Sequence, residues 1–315
     1  MDVAAWGIAP QEASAALEEQ EAPAEEVDPE PEDASELLQR GTALLKTSRG
    51  LIRAGDFGEA EANLIAASEA LLGAADGADE AIAAVEASAG DRGGVDPAAQ
   101  ELWASWERVR AAACGNRGNT LLQRGKIKAE LLAELSANPP PPDAPDDDRA
   151  KHDAASAGLV EEAQAVLMES GRMYRRCLVP SKAAPPLAGP EAARALLRWG
   201  DALKLRATVA DKAPLAEDDS LSARVESQAE LALAAAEKYE AALSADPENE
   251  RVYDDACLGQ ASSLDLYARC CARLGKYADA SSFGSSSLEY YAAVPSPPSS
   301  SATCRRWTST TRTST

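Results

Sequence analysis

The chain has 315 residues, enough for one large domain or two ordinary ones, and it carries a formal net charge of −21. Aromatic residues make up only 4% of it, which argues against a core of large side chains and favours closely packed, alanine-rich helices. The acidic balance argues against nucleic acid and anionic membrane surfaces as partners, because both attract clustered lysine and arginine.

The N-terminal part lacks the features of a targeting segment. No lysine or arginine occurs between Met1 and Gln39, whereas signal and transit segments carry basic residues. No stretch approaches the ~18 uninterrupted apolar residues of a transmembrane helix. We therefore expect a cytoplasmic protein without direct membrane insertion.

Residues capable of chemistry are few. The six cysteines show no CxxC spacing, and His152 is the only histidine, so no zinc site of ordinary spacing can be assembled. A general base needs a positioned partner and a pocket, and His152 falls in a stretch expected to be disordered and solvated. We predict free, buried thiols, no metal, no cofactor and no enzymatic activity.

The first part of the chain predicts an acidic segment followed by helices. Residues 1–33 carry eleven acidic residues and are expected to be a disordered leader. Paired apolar residues seven apart predict a helix over residues 35–54, and a second helix is expected over 57–72. Glycine and aspartate at 73–79 are expected to loosen the chain before a short helix over 80–89.

The middle of the chain predicts two further helices separated by a linker. Asp96–Pro97 is typical of a helix start, and this helix is expected to reach Leu135 after an interruption at Gly125–Lys126. Four prolines followed by aspartates predict a solvated linker over residues 138–153. Helical periodicity then returns over 159–178.

The last part predicts four helices and a tail. The helices are expected over residues 190–205, 221–243, 251–273 and 277–293. A proline-rich loop precedes the first of them, and an acidic loop near 215–219 precedes the second. Residues 294–315, rich in serine and threonine, are expected to be disordered. The whole pattern predicts an all-α array of about eight main helices over residues 35–293.

Two stretches resemble the tetratricopeptide repeat (TPR), a helix–turn–helix unit of ~34 residues that stacks into a solenoid. They are the turn at Gly55–Ala60 and the helix end at Tyr239–Pro247. Further matches outline about four degenerate units with lengthened helices and loops. The matching residues are Leu44, Leu51 and Ala60; Gly118, Leu121, Gly125 and Tyr174; Leu196, Trp199, Gly200, Leu203, Ala235, Tyr239, Ala242 and Pro247; and Leu264, Tyr267, Ala268, Gly275, Tyr277 and Ala280. In the third unit, Gly200 falls where the repeat needs a small residue to let two helices approach.

Three segments are similar to a family of plant and algal TPR proteins, one type of which connects the trans-Golgi/early endosome compartment to the actin cytoskeleton. They are Gly118–Leu122 with the following Gly125–Lys126, Glu169–Arg176, and Leu197–Leu203. The similarity spans roughly residues 110–275 and includes no catalytic motif. It implies a scaffold in membrane traffic or cytoskeletal linkage, peripheral to trans-Golgi or endosomal membranes.

The first helix of each TPR unit usually carries the polar side chains that grip a peptide. Here the corresponding residues are Lys46, Arg49, Asn116, Asn119, Arg194, Arg198 and Asp201. Asparagine with an Arg-x-x-x-Arg pair partly resembles the carboxylate clamp of chaperone-binding TPR domains, and such a cluster would attract a partner's carboxylates. Alternatively, Arg194 and Arg198 pair with nearby acids such as Glu191.

We therefore expect a non-enzymatic scaffold that binds another protein or peptide segment in a concave helical groove. Two alternatives are a structural helical subunit of a larger complex and a co-chaperone-like carboxylate clamp. Neither nucleic acid nor a small-molecule cofactor is expected as a partner.

Overall fold

The computed structural model describes residues 33–89, 97–179, 187–212 and 220–294, which form eight α-helices and no strand. The all-α prediction is therefore confirmed. In chain order the helices are α1 (Ala34–Ala54), α2 (Phe57–Ala89), α3 (Pro97–Ala137), α4 (Asp146–Leu178), α5 (Gly189–Ala210), α6 (Leu221–Ala245), α7 (Glu250–Arg273) and α8 (Tyr277–Ala293). The predicted leader before Asp33, the acidic loop near 215–219 and the tail after Val294 lie outside the described residues.

Local sequence signals account for the turn between α1 and α2. Asp33 caps the start of α1 by accepting a hydrogen bond from the Ser35 amide at 3.4 Å. Gly55 ends this helix with a φ of 83°, in the left-handed region that glycine enters without strain. Asp56 then caps α2 by accepting from the Glu59 amide at 3.1 Å. The turn lies where the sequence predicted it.

Helices α2 and α3 are each continuous, so the predicted breaks at 73–79 and around Gly125 are wrong. The glycines at these places serve helix packing. A Cβ atom on Gly73 would lie 3.1 Å from Leu37 of α1, and one on Gly125 would lie 2.5 Å from Leu167 of α4. In a sequence, a glycine that lets two helices approach closely looks the same as a glycine that ends a helix.

Helix α4 begins at Asp146, inside the predicted linker over 138–153, so that the second half of this linker is helical. Three aspartates occupy the first turn of α4, where the positive end of the helix dipole stabilises negative charge. His152 therefore lies on a helix, half-buried, with its Nε2 atom 3.1 Å from the carbonyl oxygen of Leu135. The prediction of a solvated histidine in a disordered loop is wrong.

The helices pack in chain order, with one additional set of contacts. Each helix packs against the helices before and after it. The odd-numbered helices α1, α3, α5 and α7 also contact one another in succession, whereas no two even-numbered helices do so within the described residues. We call these four helices the odd layer. Among the helices of the described ranges, none combines the length and the apolar character that crossing a membrane requires.

Two buried tyrosines fill the core at places where glycines bring helices together. Tyr174 of α4 packs on α3, where a Cβ atom on Gly118 would lie 2.8 Å from its ring. Tyr239 of α6 packs on both α5 and α7, where Cβ atoms on Gly200 and Gly259 would lie 2.9 Å and 2.4 Å from its ring. Because the interior is closely packed, these three positions leave no room for a larger side chain.

Candidate functional site

The seven residues predicted to line a groove all lie on the odd layer, but their surroundings differ. On α1 and α3 they are two exposed cations and two half-buried amides, namely Lys46, Arg49, Asn116 and Asn119. On α5 they are Arg194, Arg198 and Asp201.

The two asparagines of α3 already have partners within the protein. The Asn116 side-chain amide donates a hydrogen bond to the Thr42 hydroxyl at 3.2 Å, which joins α3 to α1. The Asn119 side-chain oxygen accepts a hydrogen bond from the buried Tyr174 hydroxyl at 2.9 Å, which joins α3 to α4. Asn116 therefore contributes to packing within the odd layer and Asn119 to the packing of α3 on α4, and the free hydrogen-bonding capacity of both amides is reduced.

The two arginines of the predicted Arg-x-x-x-Arg pair have separate roles. Arg194 is exposed, and its guanidinium donates to the carbonyl oxygen of Pro190 in the first turn of the same helix, at 3.2 Å. Arg198 forms an ion pair with Asp201 at 2.8 Å. Within the described residues, neither arginine forms an ion pair with Glu191.

Asp201 connects the packing of the core to the surface of the odd layer. One of its carboxylate oxygens accepts a hydrogen bond from the Tyr239 hydroxyl at 2.8 Å, and the other accepts from Arg198. Burial raises the pKa of Tyr239, and the negative charge of Asp201 raises it further. Burial alone would lower the pKa of Arg198, but Asp201 more than offsets this effect, and the pKa of Arg198 is raised.

Two lysines whose pKa is affected by the charge of Asp201 were not predicted as site residues. The Lys204 ammonium donates to the Ser262 hydroxyl of α7 at 3.1 Å and lies 5.6 Å from the centre of the Tyr239 ring. Desolvation lowers the pKa of Lys204. It also lowers the pKa of Lys126 on α3, an effect that Asp201 opposes and the neighbouring cations reinforce.

A sequence signal for these lysines does exist. Lys126 follows Asn119 by seven residues, and Lys204 follows Asp201 by three, so each lysine shares a helix face with a predicted groove residue. The presumed helix break at Gly125 concealed the first of these relationships, because it placed Lys126 outside a continuous helix.

A cavity of about 180 Å³ opens between α5 and α7 beside these charges. It is lined by two leucines, a glycine, two cations and two carboxylates: Leu197, Leu258, Gly259, Arg198, Lys204, Asp201 and Asp255. Leu258 is 44% exposed, so part of the apolar wall is open to solvent. The cavity therefore offers an ionic contact and an apolar contact side by side.

None of the described cysteines lines this cavity. The described ones, Cys114, Cys177, Cys257, Cys270 and Cys271, are all buried and free. Burial raises the pKa of Cys177 to about 12. This agrees with the prediction of free, buried thiols for these five residues.

A scan against models of protein families gives no match, and no curated protein matches the sequence.

Proposed function

We propose that this chain is a non-enzymatic, TPR-like α-solenoid scaffold that binds a segment of another protein along its odd layer. The observation that carries this proposal is the asymmetry of the helix contacts. Successive odd-numbered helices touch, and successive even-numbered helices do not. In a stack of helix pairs, the side on which neighbouring units approach most closely is the concave side, and solenoids use this surface for binding.

The repetition of one packing arrangement supports the TPR-like interpretation. In the α3–α4 pair, Gly118 lies against Tyr174 and the next residue accepts a hydrogen bond from that tyrosine. In the α5–α6 pair, Gly200 lies against Tyr239, and again the residue after the glycine accepts from the hydroxyl. Two helix pairs that repeat the same contact in the same order are expected of degenerate repeats.

The chemistry of the odd layer suits a peptide more than a small molecule. The cavity between α5 and α7 has a volume of only about 180 Å³. It presents Arg198 and Lys204 next to the partly exposed Leu258. Such a surface can hold one side chain of an extended segment by charge and the next by apolar contact. The cellular setting implied by the family resemblance, linkage of trans-Golgi or endosomal membranes to actin, is part of this proposal.

The proposal is tested by site-specific photo-crosslinking of the full chain in its native cells. A photoreactive phenylalanine analogue replaces Leu258 on α7, and the control places it at Met168 on α4, which is similarly exposed (44% and 42%). We expect a discrete crosslinked partner from position 258 and none of the same mass from position 168. A partner captured equally from both positions, or from neither, would contradict binding on the odd layer.

The exposed apolar residues of α8 favour a second candidate, a structural subunit of a larger complex. Tyr277 is 72% exposed and Leu288 is 69% exposed on this last helix of the described residues. A terminal helix of a solenoid usually has a polar outer face. Light scattering on native extract separates the two candidates, because a structural subunit would be found only within a particle of constant, larger mass.

The carboxylate-clamp form of the scaffold has less support. It requires asparagine and arginine side chains that are free to meet a carboxylate. Here Asn116 is bonded to Thr42, and Arg194 is bonded to Pro190.

A further inference from the structure

The connection between α3 and α4 contains four consecutive prolines, Pro139–Pro142. It is longer than the described connections after α1, α6 and α7. Pro139, Pro141 and Pro142 are exposed, and Pro140 is half-buried. Proline rings are therefore presented to solvent in a connection that is longer than a simple turn between two helices requires.

The proline rings themselves restrict the backbone of this run. Each ring holds φ at about −65°, and a residue that precedes a proline is driven out of the helical region, toward a ψ of about 120° to 160°. Pro139, Pro140 and Pro141 each meet both conditions, and together they favour the polyproline II conformation. The run ends in a turn, where the Ala144 amide donates to the carbonyl oxygen of Pro141 at 2.9 Å.

The exposed side of the run has the features that aromatic-lined grooves bind. Polyproline II repeats every three residues, so Pro139 and Pro142 share one edge at a distance of about 9 Å, and both are exposed. The carbonyl oxygens of Asn138, Pro139 and Pro140 accept no hydrogen bond from the described residues. Aromatic grooves pack their rings against such prolines, and tyrosine or tryptophan side chains can donate to the free carbonyl oxygens.

Hydrogen bonds hold the two ends of the connection in place. The His152 Nε2 atom of α4 lies 3.1 Å from the carbonyl oxygen of Leu135 in α3, which joins the helices on either side. The Arg149 guanidinium donates to the carbonyl oxygen of Ala144 at 3.0 Å. A segment whose ends are held and whose backbone is already stiff loses little conformational entropy when a partner binds it.

The charges beside the prolines define the kind of groove that fits. Five exposed carboxylates flank the run, those of Glu134, Asp143, Asp146, Asp147 and Asp148. Asp146 and Asp148 form exposed ion pairs with Arg149 and Lys151, at 3.2 Å and 3.3 Å. The other three form no ion pair within the described residues. The excess of negative charge is complementary to basic side chains at the edge of a partner's groove.

We propose that Pro139–Pro142 is a docking segment for a proline-binding domain whose aromatic-lined groove carries basic side chains at its edge. This goes beyond the proposed function, because the segment lies in a connection and not among the residues of the α5–α7 cavity. The chain would then hold one partner on its odd layer and recruit a second partner through the connection between α3 and α4.

The test measures binding of the labelled full chain to an array of purified SH3, WW and EVH1 domains encoded by the same genome. We expect domains with a basic groove edge to bind the wild type. The variant P139A/P142A should bind them at least about tenfold less tightly, because it removes both rings of the exposed edge. The control variant P190A/P247A removes two exposed prolines elsewhere and should bind as the wild type does.

The charge complementarity has a separate test. The variant D143N/D147N should bind the same domains about threefold less tightly at low salt, and the difference should shrink at high salt, because exposed charges are screened. This variant retains all four prolines. Thermal unfolding of P139A/P142A should give a midpoint close to that of the wild type, since the rings it removes are exposed.

Three results would overturn the docking segment. They are an array in which no domain binds the wild type, equal binding of wild type and P139A/P142A, and an equal loss of binding in P190A/P247A. Unchanged or tighter binding of D143N/D147N would contradict the basic groove edge. Crosslinking from position 258 should be the same in P139A/P142A as in the wild type, so failure of the docking segment is distinguishable from failure of the scaffold function.

Discussion

Tyr174 and Tyr239 occupy corresponding positions in two helix pairs, and they differ in the acceptor that each hydroxyl meets. Tyr174 donates to the neutral amide of Asn119 at 2.9 Å, whereas Tyr239 donates to the carboxylate of Asp201 at 2.8 Å. Each ring packs against a glycine of the preceding odd helix, and Tyr239 also packs against Gly259 of the following one. At the second site, Asp201 also forms an ion pair with Arg198, and the Lys204 ammonium lies 5.6 Å from the centre of the Tyr239 ring. The second packing position thus lies beside charged side chains on the odd layer, where we propose that a partner binds.

The largest expected effect concerns the glycines that both sites need. Replacing Gly200 by leucine should lower the free energy of unfolding by about 3 kcal/mol or more, because the side chain would have to displace the buried Tyr239 ring. Gly118→Leu should cost a similar amount against Tyr174. Urea unfolding of the two variants measures both effects.

Gly50 provides the control for this experiment, because nothing lies within 4 Å of the place where its Cβ atom would be. Gly50→Ala lies within α1 and should stabilise the protein by about 0.5 to 1 kcal/mol. Unchanged unfolding midpoints for both leucine variants would show that the described helix contacts are wrong.

The next-largest expected effect is the difference in stability cost between removing the Tyr239 hydroxyl and removing the Tyr174 hydroxyl. Tyr239→Phe should cost about 2 kcal/mol, because it removes a hydrogen bond to a charged acceptor, whereas Tyr174→Phe should cost about 1 kcal/mol. Thermal unfolding measures the difference. Combining Tyr239→Phe with Asp201→Asn in a double-mutant cycle should give a larger coupling energy than the corresponding cycle for Tyr174 and Asn119. Equal costs at the two tyrosines would remove the basis of the comparison.

Alkaline pH should reduce stability through the same two groups. Burial raises the pKa of both tyrosines in the folded state above the ordinary value of 10.0, so the folded state holds its phenolic protons more tightly than the unfolded state does. Their contribution is complete below pH 10 and is lost as the pH rises above it. Unfolding midpoints followed from neutral to alkaline pH should fall. Tyr239→Phe should reduce the fall more than Tyr174→Phe, because Asp201 raises the pKa of Tyr239 through both its charge and its hydrogen bond, whereas at Tyr174 the lowering by Arg198 exceeds the raising by Asp201. Unfolding midpoints that stay constant from neutral to alkaline pH would contradict this.

The smallest effect concerns Arg194, which resembles Arg198 in the sequence but not in its contacts. Arg194→Ala should change the free energy of unfolding by less than about 0.5 kcal/mol and leave the crosslinking yield from position 258 unaltered, because the side chain is exposed and bonded only to its own helix. Arg198→Ala should lower this yield, because Arg198 lines the cavity beside Leu258. Equal effects of the two substitutions on the yield would favour the clamp.

Much of the helical framework could be predicted, because the signals involved are local. The turn at Gly55 depends on residues within a few positions of it, and so does the turn at Gly275, whose φ is 74°. The breaks predicted near Gly73 and Gly125 were wrong for the converse reason. Whether a glycine ends a helix or packs against another one depends on residues far away in the chain, such as Leu37 for Gly73.

In the candidate site too, relationships within one helix could be predicted, whereas relationships between helices could not. Asp201 and Arg198 could be predicted because they lie three residues apart on one helix face, and the repeat pattern marks that face. The effect of Asp201 on the pKa of Lys126 could not be predicted, since Lys126 belongs to α3 and the effect depends on the contact of α3 with α5.

Composition and periodicity are properties of neighbouring residues, and they were sufficient to predict an all-α chain. The pairing of faces is a property of distant residues, so only tertiary packing decided that Gly200 and Gly259 share one tyrosine and that the hydroxyl of this tyrosine donates to Asp201.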